Sequence, residues 1–200
     1  MKLYLVRYGG LKHNGTTYQK TQTLSREGSQ QALLVAHQLR AYPLDCILTS
    51  DNGPAKEAAE IIGSVTQKRV EAFDSFREQR HPSIVWGRGR RDPLVRIIYR
   101  LIYDNMGRPD WHYSDEENFY DIRKRIAENI QYMLRRGDGH ILIVGADEIV
   151  KYILCYALLR ERLHPLDYLR FQEFMKLDPV GITVVEYDRY MNWHLMKLNG

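Results

Sequence analysis

Cysteine is scarce. The chain holds two, Cys46 and Cys155, each inside an apolar run, so a disulfide framework is excluded and both read as reduced core residues. There is no CxxC pair and no Cys/His spacing suited to zinc, and neither a metal nor a cofactor is expected. No apolar run approaches the roughly 20 residues that span a bilayer. The opening MKLYLVRYGG turns polar after Val6 and is too short for a signal peptide. These absences give the expectation of a cytoplasmic protein without a membrane partner. Repeats, low-complexity stretches and long linkers are also missing, so one domain over residues 1–200 is expected. Charge of one sign is not in large excess: 29 Lys and Arg against 25 Asp and Glu leave a formal net charge of +4. A solvated surface that happens to be basic is the first reading of this balance and an anionic ligand or phosphorylated partner the second; the excess falls short of a nucleic-acid footprint, and nucleic acid is not expected.

What is present alternates between buried strands and amphipathic helices. Leu3 to Val6 is a short apolar run bounded by Gly9 and Gly10, as a buried strand requires. Ser25 caps a helix whose apolar positions are Ala32, Leu33, Val35, Ala36 and Leu39. Cys46 to Leu48 forms a second strand. Asp51 or Asn52 caps a second helix, with Pro54 in its first turn. Leu94, Ile97, Ile98 and Leu101 recur at helical spacing, and a long helix is expected from about Glu116 to Arg136. Ile141 to Val144 is another buried strand, followed by a helix from Asp147 to Leu159. Gly181 to Tyr187 and Trp193 to Leu198 read as closing strands around a turn. The fold class is therefore α/β, a three-layer α/β/α sandwich on a mostly parallel sheet.

Three loops follow the apolar strands at their C-terminal ends, where open α/β sheets bind ligands. They are Arg7 to Gly10, Ser50 to Glu57, and Gly145 to Asp147. Their residues resemble the histidine phosphatases, the phosphoglycerate-mutase-like superfamily. Leu3-Tyr4-Leu5-Val6-Arg7-Tyr8-Gly9 is similar to the LxLVRHG signature, and Asn14 falls where many members carry Asn. Leu24-Ser25, Gly28, Gln31 and Ala32 resemble the LT-x-x-G-x-x-QA helix start, and Thr49-Ser50-Asp51 to Ile62 resembles the SSDLxRAxETAxII block. Glu78 sits where the family has its proton-donor Glu. Glu117-Asn118, Asp121 and Arg125 match the ESxxDxxxR helix start. The resemblance covers essentially the whole chain and implies a helical cap insertion at about residues 79–115.

The departures fall on the chemistry that the resemblance implies. Tyr8 stands where the family has the His that attacks phosphorus, and a phenol with a pKa near ~10 is a poor nucleophile at neutral pH. Pro54 stands where the family has a phosphate-binding Arg and offers no donor. Ala146 stands at the second catalytic His and cannot stabilise developing charge. Arg7 and Asn14 remain as candidate phosphate or ligand contacts, and Glu78 as the retained acid.

Three readings follow. The first is a pseudoenzyme that binds or scaffolds. The second is an active phosphatase rerouted through Arg7, Glu78 and His13, the histidine on the loop after Arg7. The third is an interaction protein using Arg88-Gly89-Arg90-Arg91 and the helix after it, where Arg96 and Arg100 accompany apolar residues; an exposed apolar stripe there favours it. The expected partner is a phosphorylated small molecule or protein; the sequence does not fix the oligomeric state and leaves a homodimer open.

Overall fold

The computed structural model describes residues 1–12, 16–51 and 53–200. Among them are six strands: β1 (Lys2–Arg7), β2 (Cys46–Thr49), β3 (Val70–Ala72), β4 (His140–Gly145), β5 (Ile182–Tyr187) and β6 (Trp193–Lys197). They form one sheet in the order β3-β2-β4-β1-β5-β6. The first four are parallel neighbours, and β5 and β6 close the sheet by antiparallel pairing. Leu3, Val6 and Ile141 through Val144 are fully buried. That is why these strands read as continuous apolar runs, not as alternating ones: a strand covered on both faces has no polar side.

The helices are α1 (Arg26–Leu39), α2 (Gly53–Thr66), α3 (Pro93–Asn105), α4 (Phe119–Arg136), α5 (Asp147–Leu159) and α6 (Pro165–Phe174). From β1 the chain first steps toward β3 and then reverses toward β6. With right-handed crossovers between the parallel strands, that reversal puts α1 and α2 on one face and α4 on the other, where α5 and α6 join it. The packing agrees: α1 lies against α2, and α5 against both α4 and α6. The reversal also leaves a crevice at the C-terminal ends of β1, β2 and β4.

Local chemistry accounts for most boundaries. The Ser25 side chain caps α1 by accepting from the Gly28 N–H. Asn118 and Asp121 form a reciprocal capping box on α4, which starts at Phe119, three residues after Glu116. The predicted Asn52 cap of α2 lies outside the described residues. One helix escaped the sequence reading: α6 buries only Pro165 and Tyr168, so it carries almost no periodic apolar signal. In α3 the spacing marked the helix, but its inward side is Val95 and Ile98, while Ile97 and Leu101 are 59% and 42% exposed. Val95 and Ile98 belong to a second, smaller apolar cluster with Tyr18 and Val85, apart from the main core. No helix among the described residues is long and apolar enough to cross a membrane.

Candidate active site

The crevice begins with the turn after β1. Ser25 donates from both N and Oγ to the Gly10 carbonyl, at 2.9 and 3.1 Å, and Gly10 N donates to Gln31 Oε1 at 2.9 Å. The approach is so close that a Cβ on Gly28 would overlap the Gly10 carbonyl oxygen. This stitching is the physical content of the Gly10, Ser25, Gly28 and Gln31 pattern: it holds the residues after β1 against the start of α1.

Register sets the next residues. Arg7 pairs with Gly145, and Tyr8 N donates to the Gly145 carbonyl at 3.0 Å, so the first and third loops meet. The Tyr8 ring is buried, and its hydroxyl donates to a carboxylate oxygen of Glu78. Burial, and then the neighbouring Glu78 charge, hold the phenol well above its ordinary pKa. Arg7 does not reach Glu78. Its guanidinium donates to the Leu177 carbonyl at 2.8 Å and lies 3.4 Å from Asp147, and Asp147 is also paired with Lys151 at 2.8 Å.

Pro54 sits in the first turn of α2, after Gly53, whose φ of +69° glycine adopts without strain. A Pro there continues the helix but removes one of the N–H groups that a helix start would aim at an anion. Ala146 is the N-cap residue of α5 and makes no side-chain capping bond. Pro54, Ala146, Ser50 and Glu78 line one cleft of about 650 Å³. Arg7 and Tyr8 are not among its lining residues. The cations that line it, Lys20, Arg77, Arg80 and Arg90, all come from the 17–23 and 77–90 segments.

The wall carrying Glu78 is held by a dense ion cluster. Glu117 receives Arg77 at 2.9 Å, Arg125 at 3.1 and 3.2 Å, and the Arg80 N–H at 3.0 Å. Arg125 also donates to the carbonyls of Ser75 and Arg77, at 2.7 and 2.9 Å. With these donors the Glu117 carboxyl lies below the ordinary range in spite of its burial.

Two groups were missed by sequence reasoning. Burial, and then Glu78, push the Glu148 carboxyl up to about 7, although Gln79 offers it a backbone hydrogen bond. The only hint in the sequence was its place in the first turn of α5. His81 meets Tyr18, Trp86 and Tyr99 edge-on and shares a hydrogen bond with Tyr99 Oη at 2.9 Å. Burial and then Arg90 lower it to about 4, so it is neutral at pH 7. Its sequence neighbours gave no sign of this aromatic wall. Asn14 and His13 lie outside the described residues.

The sequence model of the histidine phosphatase superfamily, branch 1, matches residues 3–199. The chain belongs to this superfamily. No curated protein matches the sequence. Among solved structures, a putative alpha-ribazole-5'-P phosphatase from Escherichia coli K-12 superposes with a TM-score of 0.80 at 19% identity, over 100% of this chain and 96% of that one. YhfR from Bacillus stearothermophilus gives 0.78 at 24% identity, over 98% and 95%. A mutant phosphoserine phosphatase from Entamoeba histolytica, solved with phosphoserine, gives 0.77 at 21% identity, over 100% and 96%. Such identities carry the superfamily's fold and leave the chemistry to the individual residues.

Proposed function

We propose that this member of the histidine phosphatase superfamily is catalytically degenerate and acts by binding a ligand at its cleft, without transferring a phosphoryl group. The observation that carries this reading is the hydrogen bond from the Tyr8 hydroxyl to Glu78. The residue at the nucleophile's position donates its proton to the residue at the acid's position. Even an unperturbed phenol is only about one part in a thousand phenolate at pH 7, and Tyr8 is held higher than that. Pro54 and Ala146 supply no side-chain donor to the cleft, and Arg7 is engaged by Leu177 and Asp147. A phosphoryl group entering beside Pro54 and Ala146 meets the Glu78 carboxylate in place of an imidazole and a guanidinium clamp.

Several structural neighbours are named as phosphatases, one of them solved with phosphoserine, which selects the substrates to try. The purified chain is incubated with p-nitrophenyl phosphate and with phosphoserine, beside Arg7→Ala and His13→Ala variants. The expected result is phosphate release at the buffer rate from all three proteins. Release by the wild type that either substitution abolishes would establish the rerouted phosphatase instead.

A further inference from the structure

A second depression, of about 510 Å³, lies along the outer side of α3. Its lining includes Arg90, Arg96 and Arg100 with Tyr18, Tyr99 and Tyr103, and no Asp or Glu. The cleft described above is lined by Glu57 and Glu78 as well as by cations, so the two differ in charge. They also join: Tyr18 and Arg90 line both, with the Arg90 guanidinium 4.8 Å from the Tyr18 ring centre. Tyr18 in turn stacks on Tyr99 at 5.4 Å, which makes the shared wall a layered stack of one cation and two rings.

Two cations of this groove, Arg96 and Arg100, face solvent. Arg100 is 74% exposed, and among the described residues its carboxylate partner is Asp104, one turn along the helix. Arg96 is exposed and has no ion-pair partner among the described residues. Beside them, on the other shoulder of the same helix, Ile97 and Leu101 are exposed. Phosphate-rich strands of nucleic acid have no use for an aliphatic shoulder, and a lipid surface would not follow the shallow depression past Tyr18 into the cleft. A polypeptide offers carboxylates for the arginines, apolar side chains for Ile97 and Leu101, and the length to continue past Tyr18.

We infer that the groove along α3, from Tyr103 to the Arg90–Tyr18 wall, is a docking surface for an acidic polypeptide segment of a partner protein. The inference goes beyond the reading of the rim. An active phosphatase with the same groove would bind the segment equally, so binding and turnover are scored separately.

The test is fluorescence anisotropy with a short labelled peptide of Glu and Leu residues, at near-physiological ionic strength where long-range attraction is screened beyond about 8 Å. Wild type, Arg96→Glu and Arg189→Glu are compared. Arg189 is exposed and sits in the turn at the opposite end of the sheet, so it reports bulk charge alone. The expected result is binding by wild type and by Arg189→Glu, with affinity lower by roughly tenfold in Arg96→Glu. Equal weakening in both variants, or no binding by wild type, overturns the inference. So does tighter binding of a single-stranded RNA, or of vesicles with anionic lipid, lost on Arg96→Glu: the groove would then serve a nucleic acid or a membrane.

Discussion

Two clusters of side chains border the same cleft, and only one of them is charged. Around Glu117, the three residues that resemble the superfamily's helix start, Glu117, Asp121 and Arg125, are all present, and their polar groups are partnered. At the rim, the positions that resemblance gives to the nucleophile, a phosphate-binding Arg and the second His hold Tyr8, Pro54 and Ala146. The first cluster shapes the wall and the second would do the chemistry. The difference teaches that a scaffold is kept by burial and hydrogen bonding, whereas reactivity hangs on a few side chains whose loss leaves the core undisturbed.

If the Glu117 cluster is the structural half, removing one member should hurt most. Glu117→Ala leaves two half-buried guanidiniums facing each other without a carboxylate, and urea denaturation should show a loss of about 3–5 kcal/mol. A loss no larger than that of Tyr8→Phe would dissolve the contrast between the clusters.

Next in size is Glu148→Gln. The folded carboxyl titrates near 7, above its unfolded value, so its favourable contribution is complete below the ordinary carboxyl range and is lost as pH rises through about 7. The variant should gain on the order of 2–3 kcal/mol over wild type at pH 8 and nothing at pH 4. Thermal melts at the two pH values read this directly, and a pH-independent difference would contradict a carboxyl desolvated in the charge field of Glu78.

Tyr8→Phe removes one hydrogen bond while keeping the ring, and should cost about 1 kcal/mol. The smallest effect is expected at the α3 groove: Arg96→Glu should change stability by less than about 0.5 kcal/mol, because that side chain is exposed and has no ion-pair partner among the described residues. A large destabilisation there would mean that the groove is part of the scaffold.

Much of this was legible in the sequence because burial writes itself into composition. β1, β2 and β4 are covered on both faces and appear as unbroken apolar runs, and α5 begins at Asp147 and ends at Leu159, the limits its pattern gave. α6 was not legible, since only two of its residues are buried. Nor was the outward placement of Ile97 and Leu101, because periodicity marks a helix without saying which apolar positions find a partner. At the rim, the identities of Tyr8, Pro54 and Ala146 stood in plain view. Their contacts did not: the Tyr8–Glu78 bond spans 70 residues and the Arg7–Leu177 bond 170, and no local pattern encodes which acceptor a side chain meets across such a separation.

Calorimetric titration with orthovanadate tests most directly whether the rim grips a phosphoryl-like anion. The wild type should give no heat of binding, while Tyr8→His/Pro54→Arg/Ala146→His, with its fold verified by circular dichroism, should bind. Vanadate binding by the wild type that disappears on Arg7→Ala would contradict the account.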